Sequence, residues 1–267
     1  MRILLFIIVF ITTTVHAYNL HDAHLHYNQS IWKRLPPGQV IHYLVENDIQ
    51  RAIFSSTPEK GTEMLYEIAP DRIIPFIRPY RSYGDVLSWH HNPEIVDYIR
   101  EQAGKGIYQG FGEFHMWIEH LDGNSVLPEI MQIAAEQDWV LSAHTDIETI
   151  EALIRMQPAV KVIWAHCGFS APAEAVQQLI EKHSTAYCEM SLYEKLVDED
   201  DNLTPEWKQL MEKYPDRFMV GIDTYKDARW GEVAEHADFI QEWLRQLKPE
   251  AAVLIANENV SRLFPVR

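Results

Sequence analysis

The chain has 267 residues, with 23 basic against 39 acidic side chains and a formal net charge of −16 at neutral pH. An acidic excess of this size repels phosphate backbones and anionic membranes, and no cluster of basic and aromatic residues offsets it locally. We therefore expect a protein without nucleic-acid partners, and its two cysteines exclude a small fold stapled by many disulfides.

The amino terminus has the pattern of a secretory signal. Arg2 precedes an unbroken apolar run over residues 3–11, and the stretch that follows ends at the small residue Ala17. A membrane anchor is the alternative, but a span needs about 20 apolar residues, far more than this run supplies. We predict that residues 1–17 are removed, that the mature protein starts at Tyr18, and that it is exported to the periplasm or outside the cell, with no membrane contact after cleavage.

Residues 18–267 have the length of a single (β/α)₈ TIM barrel, which takes about 250 residues, and no linker or repeat divides them. Apolar runs rich in β-branched residues alternate with longer amphipathic stretches, as parallel strands and their crossover helices do. Eight runs are present, the number that closes a barrel: residues 20–26, 51–56, 73–78, 110–115, 140–144, 161–166, 186–190 and 218–223. The seventh is the weakest because it is short and contains Glu189, so an open doubly wound sheet remains the alternative.

His24 and His26 lie at the end of the first predicted strand. Residues two apart in a strand point to the same side, so both imidazoles should face one site. Alone, such a pair is as compatible with ordinary hydrogen bonding as with a metal ion. The ends of the later strands therefore decide between the two interpretations.

Polar residues break four later apolar runs near their ends, namely Glu113 in GFGEFH, His144 in SAHTD, His166 in WAHCG and Asp223 in GIDTY. Each alone could be a hydrogen-bonded core residue or a turn residue. In a barrel, however, the carboxyl ends of all strands lie on one face, where the connecting loops build the active site. We expect these side chains and the two histidines of the first strand to hold a divalent metal there. Imidazole and carboxylate ligands without thiolate fit Zn²⁺ first, with Mn²⁺, Fe²⁺, Co²⁺ and Ni²⁺ as alternatives.

Taken in order, these motifs resemble those of the amidohydrolase superfamily of metal-dependent barrels, and within it the amidohydrolase-related branch. The similarity rests on DAHLH in strand 1, GFGE in strand 4, the histidines of SAHTD and WAHCG in strands 5 and 6, and the aspartate of GIDTY in strand 8. The closing NENVSRLF also resembles the N-x-x-R-L-F ending of that branch. The resemblance covers residues 22–264 and implies a metal-dependent hydrolase, but it does not specify a substrate.

The resemblance also implies roles for individual residues. His24, His26 and His144 would bind the metal, and Asp223 would bind it or take a proton from its water. His166 would polarise the substrate or stabilise the developing oxyanion, and it would be a ligand if a second ion is present.

Glu113 leaves the number of ions open. In binuclear members of the superfamily a carboxylated lysine or a glutamate on strand 4 bridges two metals, so Glu113 could be that bridge. The alternative is a carboxylate that orients a histidine ligand through a hydrogen bond. The sequence therefore predicts one or two ions.

Residues beside the strand ends give weaker indications of a substrate. Arg78 could clamp a carboxylate or phosphate, although a surface ion pair is the more common explanation for a single arginine. Trp117, Trp164 and Tyr225 could line an apolar pocket or pack within the barrel. The sequence decides neither whether the two cysteines pair nor whether the chain forms a homo-oligomer.

The leading functional hypothesis is hydrolysis of an ester, lactone, amide or related bond of a small molecule by a metal-activated water. A non-oxidative decarboxylase of the same branch would have a nearly identical metal shell and is the first alternative. A metal-dependent nuclease of the TatD type has similar strand-end motifs, but export and the net charge of −16 weigh against it. An exported metal-binding protein is the non-enzymatic alternative. His166 and Asp223 argue against it, because binding alone does not require both.

Overall fold

The structure, a computed structural model, describes residues 17–192 and 195–266. Residues 1–16, which carry nearly all of the predicted secretory signal, lie outside the described residues, so that prediction stays untested. Within the described part of the chain, none of the helices is long and apolar enough to cross a membrane.

Eight parallel strands follow one another around a single sheet in the order of the chain. They are β1 (Leu20–Leu25), β2 (Ile49–Phe54), β3 (Ile73–Ile77), β4 (Gly110–His115), β5 (Val140–His144), β6 (Val162–Trp164), β7 (Ala186–Glu189) and β8 (Phe218–Met219). Two hydrogen bonds, from Ala23 N to Val220 O and from Asp223 N to His24 O, bring the two edges of the sheet together. The predicted (β/α)₈ barrel is therefore confirmed, and the open doubly wound sheet is excluded.

Amphipathic helices cover the outside of the barrel. They are α1 (Pro37–Glu46), α2 (Lys60–Ile68), α3 (Glu94–Ala103), α4 (Val126–Glu136), α5 (Ile147–Met156), α6 (Cys167–Ser170), α7 (Ala173–Lys182), α8 (Pro205–Lys213), α9 (Val233–Leu244), α10 (Pro249–Val253) and α11 (Asn259–Leu263). Local sequence explains α5, where the Asp146 carboxylate caps the first turn by accepting from Thr149 N at 2.7 Å. Its apolar face then buries Ile150, Leu153 and Ile154 against the sheet.

Strands β6 and β8 are shorter than their apolar runs. The predicted strands reach His166 and Asp223, whereas the observed strands end at Trp164 and Met219. His166 and Asp223 both have left-handed backbone conformations, with φ of 55° and 60°, which regular strands do not contain. Such conformations are uncommon outside glycine and concentrate at functional sites, so the chain leaves the ladder where two candidate site residues lie.

The amino end of the barrel is filled by apolar side chains, which we call the amino-end plug. Its buried members are Ala23, Ile53, Ile74, Phe76, Val140, Ile163, Tyr187, Met219, Val260 and Phe264. Most come from the strands, and the last two come from the carboxyl-terminal segment that ends the chain. Because the plug fills this end of the barrel, the carboxyl end is left for a site.

Candidate metal centre

Four predicted ligands approach one point at the carboxyl end of the barrel. His24 Nε2 and His26 Nε2 lie 3.1 Å apart. Glu113 Oε2 lies 3.5 and 3.3 Å from these nitrogens, and Asp223 Oδ1 lies 3.7 and 3.3 Å from them. Ligands of a tetrahedral Zn²⁺ are about 3.3 Å apart when each is about 2.0–2.1 Å from the ion. The spacing of these four residues, which we call the first ligand group, therefore fits one cation.

Hydrogen bonds at Nδ1 orient His24 and His26 so that their Nε2 atoms face each other. His26 Nδ1 lies 2.8 Å from the main-chain oxygen of Ser55, which only accepts, so this nitrogen carries the proton. His24 Nδ1 lies 2.9 Å from Glu189 Oε2 and donates in the same way. Neutral rings held like this direct two unprotonated Nε2 atoms at each other, which is unfavourable unless a cation or a proton lies between them.

Asp223 has one buried carboxylate oxygen that a metal ion would satisfy. The residue is 3% exposed, and its Oδ1 has no hydrogen-bond partner within the described residues. A buried carboxylate oxygen without a partner is costly, and natural proteins rarely keep one without a reason. A cation in the first ligand group would satisfy this oxygen.

The buried carboxylates around His24 favour a positive charge at the centre of the first ligand group. Burial disfavours a charged imidazole, but the carboxylates of Asp223, Glu113 and Glu189 raise the pKa of His24 well above its usual value. Burial disfavours the carboxylates as well, yet the charge of His24 holds the pKa of Glu113 well below its usual range and lowers the pKa of Asp223 to about 2. A proton on His24 thus takes the place that a metal ion would occupy.

A second ligand group lies on the other oxygen of Glu113. His144 Nδ1 is 3.0 Å from Glu113 Oε1, and His166 Nε2 is 3.4 Å from the same oxygen. Asp223 Oδ2 is 3.7 Å from His166 Nε2. His144 therefore does not join the ligands of the first group, as a single-ion site would require. Glu113 instead lies between two sets of ligands, one on each of its oxygens.

His166 is oriented as a ligand by a short relay. Its Nδ1 lies 2.7 Å from Ser191 Oγ, and the Ser191 hydroxyl donates to Glu189 Oε2 at 2.9 Å. Since the serine proton is used by Glu189, Ser191 accepts from His166 Nδ1, and Nε2 is left unprotonated. His166 therefore offers a lone pair to the second ligand group and has no ring N–H to give to a developing oxyanion.

Glu189, at the end of β7, is a functional residue that sequence reasoning did not identify. It is fully buried and bonds His24 Nδ1 directly, His166 N at 3.2 Å, and the His166 ring through Ser191. Gly221 leaves room for it, because a Cβ there would lie 2.1 Å from Glu189 Oε1. The signal was present in the sequence, since Glu189 breaks the end of an apolar run just as the other site residues do.

A cavity of about 390 Å³ lies above the two ligand groups. Glu113, His144, His166 and Asp223 contribute to its lining, so the cavity opens directly onto the candidate ligands. Its outer wall is largely apolar or aromatic, and the residues there are Tyr83, Val86, Leu192 and Tyr225. The volume falls in the range of small-molecule sites, about 300–1,000 Å³.

The residues predicted to contact substrate are divided between the cavity and the interior. Arg78 and Tyr225 line the cavity. Trp117 is not among the described lining residues, but it lies beside His144, with ring centroids 6.2 Å apart. Trp164 is fully buried and donates to the Thr145 main-chain oxygen at 2.8 Å, so for this residue the packing alternative is correct.

Arg78 is engaged with a candidate ligand. The residue is only 7% exposed; its Nε donates to the main-chain oxygen of Glu113 at 3.0 Å, and its Nη2 donates to Glu113 Oε2 at 3.2 Å. The predicted alternative of a surface ion pair is therefore wrong. Two of its five guanidinium N–H groups hold Glu113 along the edge formed by Nε and Nη2, so the edge formed by Nη1 and Nη2 is the one left for a substrate.

Cys167 and Cys188 form a disulfide, which resolves the question that the sequence left open. Cys167 follows His166, and Cys188 precedes Glu189. The bond therefore links the carboxyl ends of β6 and β7 beside a candidate ligand and the carboxylate that orients it.

The sequence matches the family model described as Amidohydrolase over residues 81–266, well over half of the chain. A comparison with curated proteins returns no match.

Several solved structures share the fold. A probable 2-pyrone-4,6-dicarboxylic acid hydrolase from Acinetobacter baumannii, with citric acid bound, has a TM-score of 0.59 and 13% identity, over 92% of this chain and 99% of that chain. A TatD homolog from Escherichia coli K12 has a TM-score of 0.62 and 13% identity, over 93% of this chain and 99% of that chain. A TatD-like protein from Archaeoglobus fulgidus has a TM-score of 0.54 and 15% identity, over 91% and 98%. At these identities the likeness establishes the barrel fold alone.

Proposed function

Because the chain belongs to the amidohydrolase family of metal-dependent hydrolases, we propose that it hydrolyses an ester, lactone, amide or related bond of a small molecule at a two-metal centre. The observation that carries this proposal is the position of Glu113, whose two carboxylate oxygens each face a separate set of ligand atoms. A glutamate that only oriented a histidine would need one such contact.

The residues divide between the two ions as follows. The first ligand group would hold one ion through His24, His26 and Asp223, and the second would hold another through His144 and His166, with Glu113 shared. Nitrogen and carboxylate ligands favour Zn²⁺, with Mn²⁺, Fe²⁺, Co²⁺ and Ni²⁺ as the alternatives.

A divalent cation in this centre supplies a water of lowered pKa, near 7 in zinc enzymes, and a Lewis acid for a carbonyl-like oxygen. With such a cation bound, Asp223 would take up the proton of the attacking water, because its carboxylate borders both ligand groups and lines the cavity. His166 acts as a ligand rather than as an oxyanion donor, since its Nε2 is unprotonated. Arg78 keeps Glu113 in place.

The cavity supports a small and partly apolar substrate. Its volume of about 390 Å³ suits a compact molecule rather than a folded nucleic acid. The only lysine or arginine among its described lining residues is Arg78, so little attracts a phosphate backbone. A nuclease activity of the TatD type is therefore an outcome of the test rather than a second proposal.

We also propose that the protein is exported, as the residues at its amino terminus predict. The disulfide between Cys167 and Cys188 supports this proposal, because disulfides persist mainly in oxidising compartments.

Metal analysis combined with a substrate screen tests the function. Bound metal is counted per chain by mass spectrometry, and the loaded protein is offered esters, lactones, amides, carboxylates and single-stranded DNA. We expect close to two ions per chain and turnover of a bond of the first three classes. Asp223→Asn and His166→Asn should each lower that turnover by more than about 100-fold, the upper range for loss of a mere outer partner.

His42→Asn is the matched control, because His42 is exposed on helix α1 and makes only a local pair with Glu46. It should behave as wild type. Turnover of carboxylates with release of carbon dioxide would replace the hydrolase by a decarboxylase. A loaded wild type without activity on any class would leave only a metal-binding protein and would end the proposal.

A further inference from the structure

His115, at the end of β4, is held by Tyr80 through both its main chain and its ring. The His115 N–H donates to the Tyr80 hydroxyl oxygen at 2.8 Å, and the same hydroxyl lies 2.9 Å from His115 Nδ1. A third bond, from Trp89 Nε1 to the His115 main-chain oxygen at 3.0 Å, completes the anchoring. His115 is thus fixed more firmly than a residue that merely borders a cavity requires.

These contacts determine which nitrogen of His115 carries the proton. Tyr80 is fully buried, and burial raises the pKa of its hydroxyl, so the phenol keeps its proton. Within the described residues, His115 Nδ1 is the only acceptor for that proton. A proton on Nδ1 would leave a buried hydroxyl without an acceptor, so Nδ1 accepts and Nε2 is protonated.

The protonated nitrogen lies on the ring edge opposite Tyr80. His115 lines the cavity, and its ring stacks on His144 with centroids 4.5 Å apart and planes 29° apart. Nε2 makes no hydrogen bond within the described part of the chain. An N–H is therefore available to a molecule in the cavity, next to the second ligand group.

This arrangement is opposite to that of the three candidate ligands His24, His26 and His166, in which Nδ1 carries a proton and donates it to Glu189, the Ser55 main-chain oxygen and Ser191. A ring nitrogen of His115 lies within 4.8 Å of candidate ligand atoms of Glu113 and His144. A ring with a protonated Nε2 and an engaged Nδ1 nevertheless has no lone pair for a metal.

We propose that His115 donates a hydrogen bond to the oxygen of the carbonyl-like group that is attacked, and that Tyr80 keeps His115 in the tautomer that this requires. The proposal rests on the proposed hydrolase function. As hydroxide adds to a carbonyl-like group, negative charge develops on its oxygen, and a fixed donor beside the metals stabilises it. His166 cannot supply this bond because its own proton points to Ser191.

The tautomer is tested without any substrate by NMR of the zinc-loaded protein with ¹⁵N-labelled histidine. The two ring nitrogens of His115 should report an unprotonated Nδ1 and a protonated Nε2, and Tyr80→Phe should abolish this preference. Tyr43→Phe on helix α1 is the matched control and should leave the His115 signals unchanged. A protonated Nδ1, or an Nε2 that loses its proton when zinc is added, would show that His115 is a ligand or a bystander and would overturn the proposal.

Kinetics test the contact with substrate. His115→Phe keeps an aromatic ring but removes the donor, and it should lower kcat by about 10²–10³-fold, the cost of losing one oxyanion donor. KM and the metal content should change little. Tyr80→Phe should lower kcat by about 10–100-fold, as loss of an outer partner does. Circular dichroism checks that both variants are folded.

The outcomes separate the two proposals. If wild type turns over substrate and folded, fully loaded His115→Phe matches it, the donor role is wrong and the hydrolase function stands. If His115→Phe loses metal, His115 is a ligand and the donor role is wrong. If wild type shows no hydrolysis, the function fails and the substrate contact fails with it, whichever tautomer the NMR finds.

Discussion

The two ends of the barrel are built from the same eight strands but are stabilised in different ways. At the amino end, Phe264 and Val260 enter the amino-end plug, and the Phe264 ring meets Phe76 at 5.5 Å between centroids. Two buried polar side chains there bond main-chain oxygens: Asn259 Nδ2 donates to two of them at 2.7 Å, and Arg51 Nη1 donates to that of Phe264 at 2.6 Å, although Arg51 Nε has no partner within the described residues. Packing and local bonds are enough to hold this end.

At the carboxyl end, buried polar groups crowd together and are only partly satisfied. His24 and His26 face each other through their Nε2 atoms, 3.1 Å apart, and Asp223 Oδ1 has no hydrogen-bond partner within the described residues. The hydrogen bonds that the two histidines donate to Glu189 and to the Ser55 main-chain oxygen orient the rings but do not satisfy their Nε2 atoms. One end of the barrel is therefore stabilised by its own packing, whereas the other is arranged for what it binds.

Removal of one aromatic ring from the amino-end plug should lower the free energy of unfolding more than any other change that we propose. Phe264→Ala removes a ring that is 1% exposed, and Phe→Ala changes in cores cost about 3–5 kcal/mol. Urea unfolding of the metal-loaded protein measures the change, and kcat per folded molecule should stay near that of wild type. The control is Val266→Ala at an exposed position, expected within about 0.5 kcal/mol of wild type. A strong loss of kcat in folded Phe264→Ala would contradict the independence of the two ends.

Loss of the disulfide at the carboxyl end should give the next largest decrease in the free energy of unfolding. Cys167 and Cys188 are 21 residues apart, and closing a loop of that order stabilises a fold by about 3 kcal/mol through the unfolded chain. The double variant Cys167→Ala, Cys188→Ala should show this loss in urea unfolding. Chemical reduction of wild type serves as the control and should give a similar value. Equal stability of oxidised and reduced protein would mean that packing holds this end as well.

The fold followed from the sequence where local patterns are strong. The bounds of β4 and β5 agree with the apolar runs, because alternation and flanking turn residues mark both ends of each run. The runs of β6 and β8 overshoot, because the left-handed conformations of His166 and Asp223 depend on long-range contacts that no local pattern encodes.

The candidate site was predicted as a set of residue types but not as a geometry. Strand ends identified Glu113, His144 and the other ligands, since barrel topology gathers them at one face. The sequence could not show that His144 and His26 face different oxygens of Glu113, because that depends on side-chain torsions. Tautomers were also beyond prediction, because each is set by a partner from a distant strand, as Ser191 is for His166.

Glu189→Gln changes the carboxylate that orients His24 and His166, and it removes one negative charge from the buried carboxyl end. One end of the amide is an NH₂ group that cannot accept: at the Oε2 position it would face His24 Nδ1 and the Ser191 hydroxyl, and at the Oε1 position it would face the Ser191 main-chain N–H. Either placement weakens the support of both histidine tautomers. Loss of such an outer partner lowers metal affinity or activity by about 10–100-fold. Zinc titration and kcat measure it, with the exposed Glu94→Gln as control. Unchanged affinity would show that the ligand aim is set elsewhere, with Arg78 and Ser55 as the remaining candidates.

The smallest expected effect is a change of zinc affinity with pH, because zinc must displace a proton from His24 but not from His21 on the same strand. Burial and the charge of Arg51 lower the pKa of His21, near the amino end of β1, to about 4, so it stays neutral. The pKa of His24 is raised by its carboxylate neighbours, so His24 is protonated at neutral pH when no metal is bound. Zinc must displace that proton, and its affinity should fall about tenfold for each unit by which the pH is lowered.

Calorimetry in buffers of different ionisation enthalpy counts the protons released on zinc binding. We expect close to one proton released from His24 per chain at neutral pH. The count should be unchanged in His21→Asn, because His21 has no proton to lose. Zinc binding without proton release would contradict the charge balance inferred for the first ligand group. The carboxyl end would then be neutral before the metal arrives, and the repulsion between His24 and His26 would have to be relieved by movement of the rings instead.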